Sequence, residues 1–146
     1  MKSIIAMVLS VILSTFTMSL FAGEDYYFAR DDEELYGTWN NLYYGTNPAQ
    51  KLVFNPNGTG WSATNANSKL PDWKIRYLIT GKWKDSQGNI KYKIRWVGSW
   101  GNAGYSLCRI SNSGKTLEYM NSLNDYPKEI NPKSPYYRMY NRKKYQ

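Results

Sequence analysis

Residues 73–96 read WKIRYLITGKWKDSQGNIKYKIRW, and their alternation decides the fold. In the first half Trp73, Ile75, Tyr77, Ile79 and Trp83 share the odd positions. In the second half Ile90, Tyr92, Ile94 and Trp96 share the even ones. Apolar residues at every second position define strands with one dry and one wet face. The connecting Asp85-Ser-Gln-Gly-Asn89 is turn chemistry, so the pair is a hairpin with both apolar faces on the same side. The wet face then carries Lys74, Arg76, Lys82, Lys84, Lys91, Lys93 and Arg95.

Working outward, the same short β-like runs recur, and no stretch sustains a helical period. Strands are expected near 36–44, 49–54, 59–64, 73–84, 90–100, 105–110, 116–122 and 136–142. Asn55-Pro-Asn-Gly58 and Ser111-Asn-Ser-Gly114 supply further hairpin turns. Asn124 to Pro135 is longer and Pro-rich, and is expected to form an ordered loop over one barrel end. The inward parity of the sixth and eighth strands stays open, because their residues fit either face. Eight antiparallel strands with short connections predict an all-β, up-and-down barrel; a sandwich would need longer crossings. Closure also removes exposed edges from a chain rich in β-formers.

The N-terminus has the parts of an export signal. Lys2 precedes an apolar run from Ile4 to Leu20, and Ala22-Gly23 offers a cleavage site before Glu24-Asp25. The division is then a signal peptide over 1–22, an acidic leader over 23–34 and a barrel over 35–146. Secretion or a periplasmic location follows. The leader holds six carboxylates and one arginine, whereas the body holds seventeen lysines and arginines against five acids. A leader lying against a basic face is one expectation from that asymmetry.

Composition narrows the chemistry. There is no histidine, and Cys108 is the only cysteine. Nucleophile–histidine–acid catalysis is excluded, and no ordinary zinc, haem or copper site can be written. No carboxylate pair has recognisable catalytic spacing, so no enzyme, metal or cofactor is expected. An intramolecular disulfide is impossible, and core and sheet must hold the domain alone. The lack of disulfides, with a bias to Lys, Asn, Ile and Tyr, points to a bacterial chain.

Leu35-Tyr-Gly37-Thr38-Trp39 opens the first strand, Phe54-Asn-Pro-Asn-Gly58-Thr59-Gly60-Trp61 spans the second turn, and Tyr136-Tyr-Arg138 sits in the last strand. The combination resembles bacterial lipocalin-like domains of the calycin superfamily, across nearly the whole mature chain. Gly37-Thr38-Trp39-Asn40 is more distantly similar to the opening of avidin-type barrels. The lipocalin resemblance implies that Trp39 plugs the closed end and that a last-strand arginine covers it. Arg138 is the expected cover, with Arg142 as the alternate.

An eight-stranded barrel has room for packed side chains or for one small ligand. The expected lining is Tyr77, Trp83, Tyr92, Trp96, Trp100 and Tyr119, whose rings suit an apolar or amphipathic guest. The competing expectation is that these rings fill the interior. In that case function moves to the seven-cation face, with anionic lipid or polysaccharide as partner. Nucleic acid is not expected, because the aromatics alternate inward instead of forming a stacking platform beside the cations.

Overall fold

The structure is a computed structural model that describes residues 27–41, 50–65 and 67–142. The expected signal over 1–22 and the first part of the leader lie outside the described residues. Eight strands follow in chain order: β1 (Gly37–Asn41), β2 (Gln50–Phe54), β3 (Thr59–Ala63), β4 (Trp73–Lys84), β5 (Ile90–Gly98), β6 (Ala103–Ser111), β7 (Thr116–Ser122) and β8 (Tyr137–Arg142). Each pairs antiparallel with its neighbour, and β8 returns to β1, so the sheet is a closed barrel. Among the described residues the closing seam pairs Trp39 with Arg142 and Asn40 with Asn141.

Up-and-down order sorts the connections between the two ends. The leader, the β2–β3, β4–β5 and β6–β7 turns and the end of β8 share one end. The β3–β4, β5–β6 and β7–β8 connections share the other. In the turn after β2, Gly58 takes φ +76° at the Asn-Gly corner, a conformation that glycine adopts without steric cost.

The β4–β5 hairpin pairs in register from Ile75 opposite Gly98 to Ile79 opposite Ile94, and then shifts by one residue. Gly81 faces Lys93, so Thr80 is an extra residue and the strand carries a β-bulge. Parity reverses beyond it. Lys82 now lies opposite Tyr92 on the inner side, and Trp83 opposite Lys91 on the outer side. This corrects two expectations: Trp83 is 40% exposed instead of lining the interior, and Lys82 leaves the wet face.

Indole rings find room in the barrel wall because glycines face them. A Cβ on Gly104 would stand 2.4 Å from Trp96 Cζ2 and 2.8 Å from the Ser122 carbonyl oxygen. One on Gly98 would stand 2.6 Å from Trp73 Nε1. The two indoles then meet edge to face at 5.2 Å, a preferred aromatic geometry. Toward the leader end the interior is packed by Leu35, Trp39, Phe54, Ile79, Tyr92, Ile94, Ile110 and Leu117. Cys108 is fully buried there, and burial pushes its thiol pKa up, which leaves it an unreactive small hydrophobe.

The loop from Asn124 does not cover a barrel end. Tyr126 lies on the outer wall, with its hydroxyl 2.7 Å from Thr80 Oγ1 and its ring edge-on to Tyr105 at 4.9 Å. Lys93 sits over the Tyr126 ring. An outer wall offering Tyr105 and two cations satisfies a tyrosine better than open water does.

Candidate functional site

The leader end is closed by two linked groups. Trp39 is fully buried, and its Nε1–H donates to the Leu35 carbonyl at 2.9 Å. The Arg142 guanidinium stacks over that indole, 4.1 Å from the ring centroid. Its N–H groups donate to the carbonyls of Tyr36 and Gly114, both at 2.8 Å, and to that of Glu34. Arg142, not Arg138, is therefore the cover. Arg138 lies opposite Tyr119, four residues nearer the other end, and donates to Pro135 and Tyr137 carbonyls.

Beside that plug the leader enters the barrel end through Glu33 and Glu34. Lys82 Nζ lies 2.7 Å from Glu33 Oε2 and 2.9 Å from Glu34 Oε2. The Tyr92 hydroxyl lies 2.8 and 2.7 Å from the same two carboxylates. Burial on its own would raise the Glu33 carboxyl. Donors from Lys82, the Arg30 N–H, Tyr92 and Tyr27 outweigh it and hold the group at about 2. The same carboxylates, after burial, keep the Tyr92 hydroxyl protonated. The leader thus docks on a single inward lysine at the barrel end, not on the sheet face as expected.

At the opposite end the described residues do not fill the interior. A cavity of about 230 Å³ lies between the β2–β3 wall and the β7–β8 wall. Leu52, Ser62, Trp73, Tyr119, Asn121 and Tyr140 face into it, and Trp100 stands over its rim from the β5–β6 turn. Its floor is a small polar network. Trp96 Nε1 donates to Ser106 Oγ at 3.0 Å, and Ser106 lies 2.8 Å from the Tyr119 hydroxyl and 2.6 Å from Asn121 Oδ1. Ser106 has one proton to give; Asn121 Oδ1 can only accept it, so the Tyr119 hydroxyl donates to Ser106 Oγ and the Asn121 Nδ2 group keeps its donors. Burial pushes the Tyr119 pKa up, so that hydroxyl stays a donor at every physiological pH.

Of the rings expected to line a site, Tyr119 and Trp100 reach this cavity, while Trp96 supports its floor. Tyr77 and Tyr92 serve packing and closure instead: Tyr77 donates to the Asn55 carbonyl at 2.6 Å and lies edge-on to Phe54. Leu52, Ser62, Asn121 and Tyr140 were not singled out from the sequence. Their signal was parity alone: Ser62 shares a face with Gly60, and Asn121 with Tyr119.

The outer wall is less uniformly basic than the alternation implied. Arg95 stacks on Tyr105 at 4.3 Å and donates to the Gly104 carbonyl, and Lys93 sits over Tyr126. Lys74, Arg76 and Lys91 remain outward, with Lys91 only partly exposed, whereas Lys84, opposite Ile90, takes the parity of Lys82 and is exposed at the strand end. Lys74 and Arg76 border an outer groove of about 470 Å³ that also includes Trp61, Pro71 and Val97. Comparison with known proteins finds no matching family model, no matching curated protein and no matching solved structure.

Proposed function

We propose that this chain is an exported, non-enzymatic, lipocalin-like carrier that takes a small apolar or amphipathic molecule into the open end of its barrel. One observation carries the reading: the barrel is packed solid at the leader end but keeps a cavity of about 230 Å³ at the other. A cavity of ~150 Å³ already holds a benzene ring, whereas whole drug-sized ligands take ~300 Å³ or more. The guest is therefore a one- or two-ring molecule, or the end of a longer one that projects past the rim. The Asn121 amide adds donors at the base, which suit a guest carrying a carbonyl, hydroxyl or carboxylate oxygen.

Native mass spectrometry of the mature protein, purified from its host without detergent, tests the reading. A discrete added mass that disappears on denaturation is expected. Ser62→Phe places a ring inside the cavity and should weaken binding of an apolar probe such as anilinonaphthalene sulfonate by about tenfold or more. If Ser62→Phe binds the probe as tightly as the parent, the guest does not occupy this cavity.

The outer groove favours a second reading, in which the wall docks on an anionic polysaccharide. Trp61 offers a ring for a sugar face, and Lys74 and Arg76 sit on the neighbouring strand opposite Trp61 and Thr59. On this reading Lys74→Glu with Arg76→Glu abolishes salt-sensitive retention on a sulfated polysaccharide column. Unchanged retention would remove it.

A further inference from the structure

Four large apolar side chains stand in water around the mouth: Leu70 is 76% exposed, Trp100 78%, Leu123 69% and Tyr136 65%. They come from three separate connections, and all three belong to the open end. The other large exposed apolar residues among those described lie elsewhere: Phe28 in the leader, Trp83 and Met139 on the outer wall.

These side chains are displayed on bonded turns. Leu70 N–H donates to Ser68 Oγ, whose own proton goes to the Leu70 carbonyl, and Lys51 Nζ ties down the Ser68 carbonyl. Trp100 sits at the tip of a turn closed by Gly101 N–H to the Gly98 carbonyl. Tyr136 donates its N–H to Ser134 Oγ, and its carbonyl accepts from Asn121 N–H. Asn124 N–H reaches Ser122 Oγ across Leu123. Two exposed cations accompany them: Lys69 adjoins Leu70, and the backbone of Lys74 is bonded to Ser99 beside Trp100. Neither enters an ion pair among the described residues. Of the acids in these connections, Asp72 is occupied by the Thr64 N–H and hydroxyl and Asp125 accepts from the Tyr126 N–H, while Glu129 is offset by the neighbouring Lys128 in sequence.

We propose that the open end docks on an anionic lipid bilayer, with Leu70, Trp100, Leu123 and Tyr136 entering the interface and Lys69 and Lys74 meeting lipid headgroups. Leucine suits the acyl boundary, tryptophan and tyrosine the headgroup level, and lysine an anionic surface. A rigid protein partner needs one continuous apolar patch with a polar rim. Here the apolar tips are spaced around a cavity, which a fluid surface can fill between them. The docked mouth opens onto the lipid, so the bilayer is the source or destination of the guest; this last step rests on the carrier reading above.

The experiment is flotation of the mature protein with phosphatidylcholine vesicles, with and without about one-third phosphatidylglycerol. Binding is expected to the anionic vesicles and to fall steeply with salt. Leu70→Asp with Leu123→Asp should weaken it about tenfold or more, while probe binding in the cavity persists without vesicles. Brominated acyl chains should quench tryptophan emission, and Trp100→Phe should keep the binding but lose most of that quenching. No flotation, equal flotation of the Leu70→Asp/Leu123→Asp protein, or flotation without quenching would each overturn the docking. Self-association through the tips, seen as a dimer that the same double substitution dissolves and that does not float, would overturn it in favour of a second copy of the chain. Loss of solution probe binding with flotation intact would sink the carrier reading and leave the docking standing.

Discussion

Replacing Lys82 with methionine lowers the free energy of unfolding by about 3 kcal/mol and undoes the closed end of the barrel. The size follows from what remains. Glu33 has a fully buried side chain and depends on Lys82 for its only cationic partner among the described residues. Methionine fills the same space, so the loss is charge compensation and not volume. Denaturant unfolding followed by tryptophan emission measures it. A cost below about 1 kcal/mol would mean that the leader does not hold this position in solution.

The same contact sets an acid dependence. Glu33 has a folded-state pKa of about 2, against 4.5 for the free group, so its contribution is complete above about pH 4.5 and is lost as the pH falls toward 2. A shift of that size is worth of order 3 kcal/mol. Lys82 has the opposite sign: burial lowers its pKa, the two carboxylates raise it further, and the net is upward. Its contribution is therefore intact below its ordinary value and is lost only in strong alkali. The parent should lose stability between pH 4.5 and 2 faster than Lys82→Met does, so the gap between them narrows on acidification. A gap that stays constant across that range would refute the pairing of Glu33 with Lys82.

The barrel was legible because the signal was redundant. Trp73, Ile75, Tyr77 and Ile79, then Tyr92, Ile94 and Trp96, repeat one parity over two strands, and the turns between runs carry Asn, Asp and Gly. The parity failed at one point, and the reason is local. Thr80-Gly81 carries a bulge, which swaps the roles of Lys82 and Trp83. A glycine inside a strand is a warning of such a site, but it does not say where the extra residue falls. The mouth was less legible still. Ser62 and Asn121 are ordinary polar residues in sequence; they become a rim and a floor only once closure sets β2, β3 and β7 around one space. The leader was visible as a block of acid, yet its docking partner could not be read, because Lys82 seemed by alternation to belong outside.

Trp39→Ala should cost about 3–5 kcal/mol, because it removes a fully buried indole from the packed end of the barrel. Its consequence is also topological. Among the described residues two pairs close β1 against β8, and Trp39 lies opposite Arg142 in one of them. The Arg142 guanidinium joins the leader, through the Glu34 and Tyr36 carbonyls, to the β6–β7 turn, through the Gly114 carbonyl. Arg142→Met therefore leaves three carbonyls without their donor as well as an uncovered ring, for about 2–4 kcal/mol. Arg138→Met is the matched comparison. It lies on the same inward parity of β8, but its partners are carbonyls of its own loop and strand, so about 1 kcal/mol or less is expected. Parity alone admits both arginines. Distance along the barrel separates them, since Arg142 is level with Trp39 and Arg138 with Tyr119. Equal losses for the two substitutions would mean that the seam is not held from Arg142. A double Trp39→Ala/Arg142→Met protein should lose less than the sum, because each residue supplies the other's stacking surface.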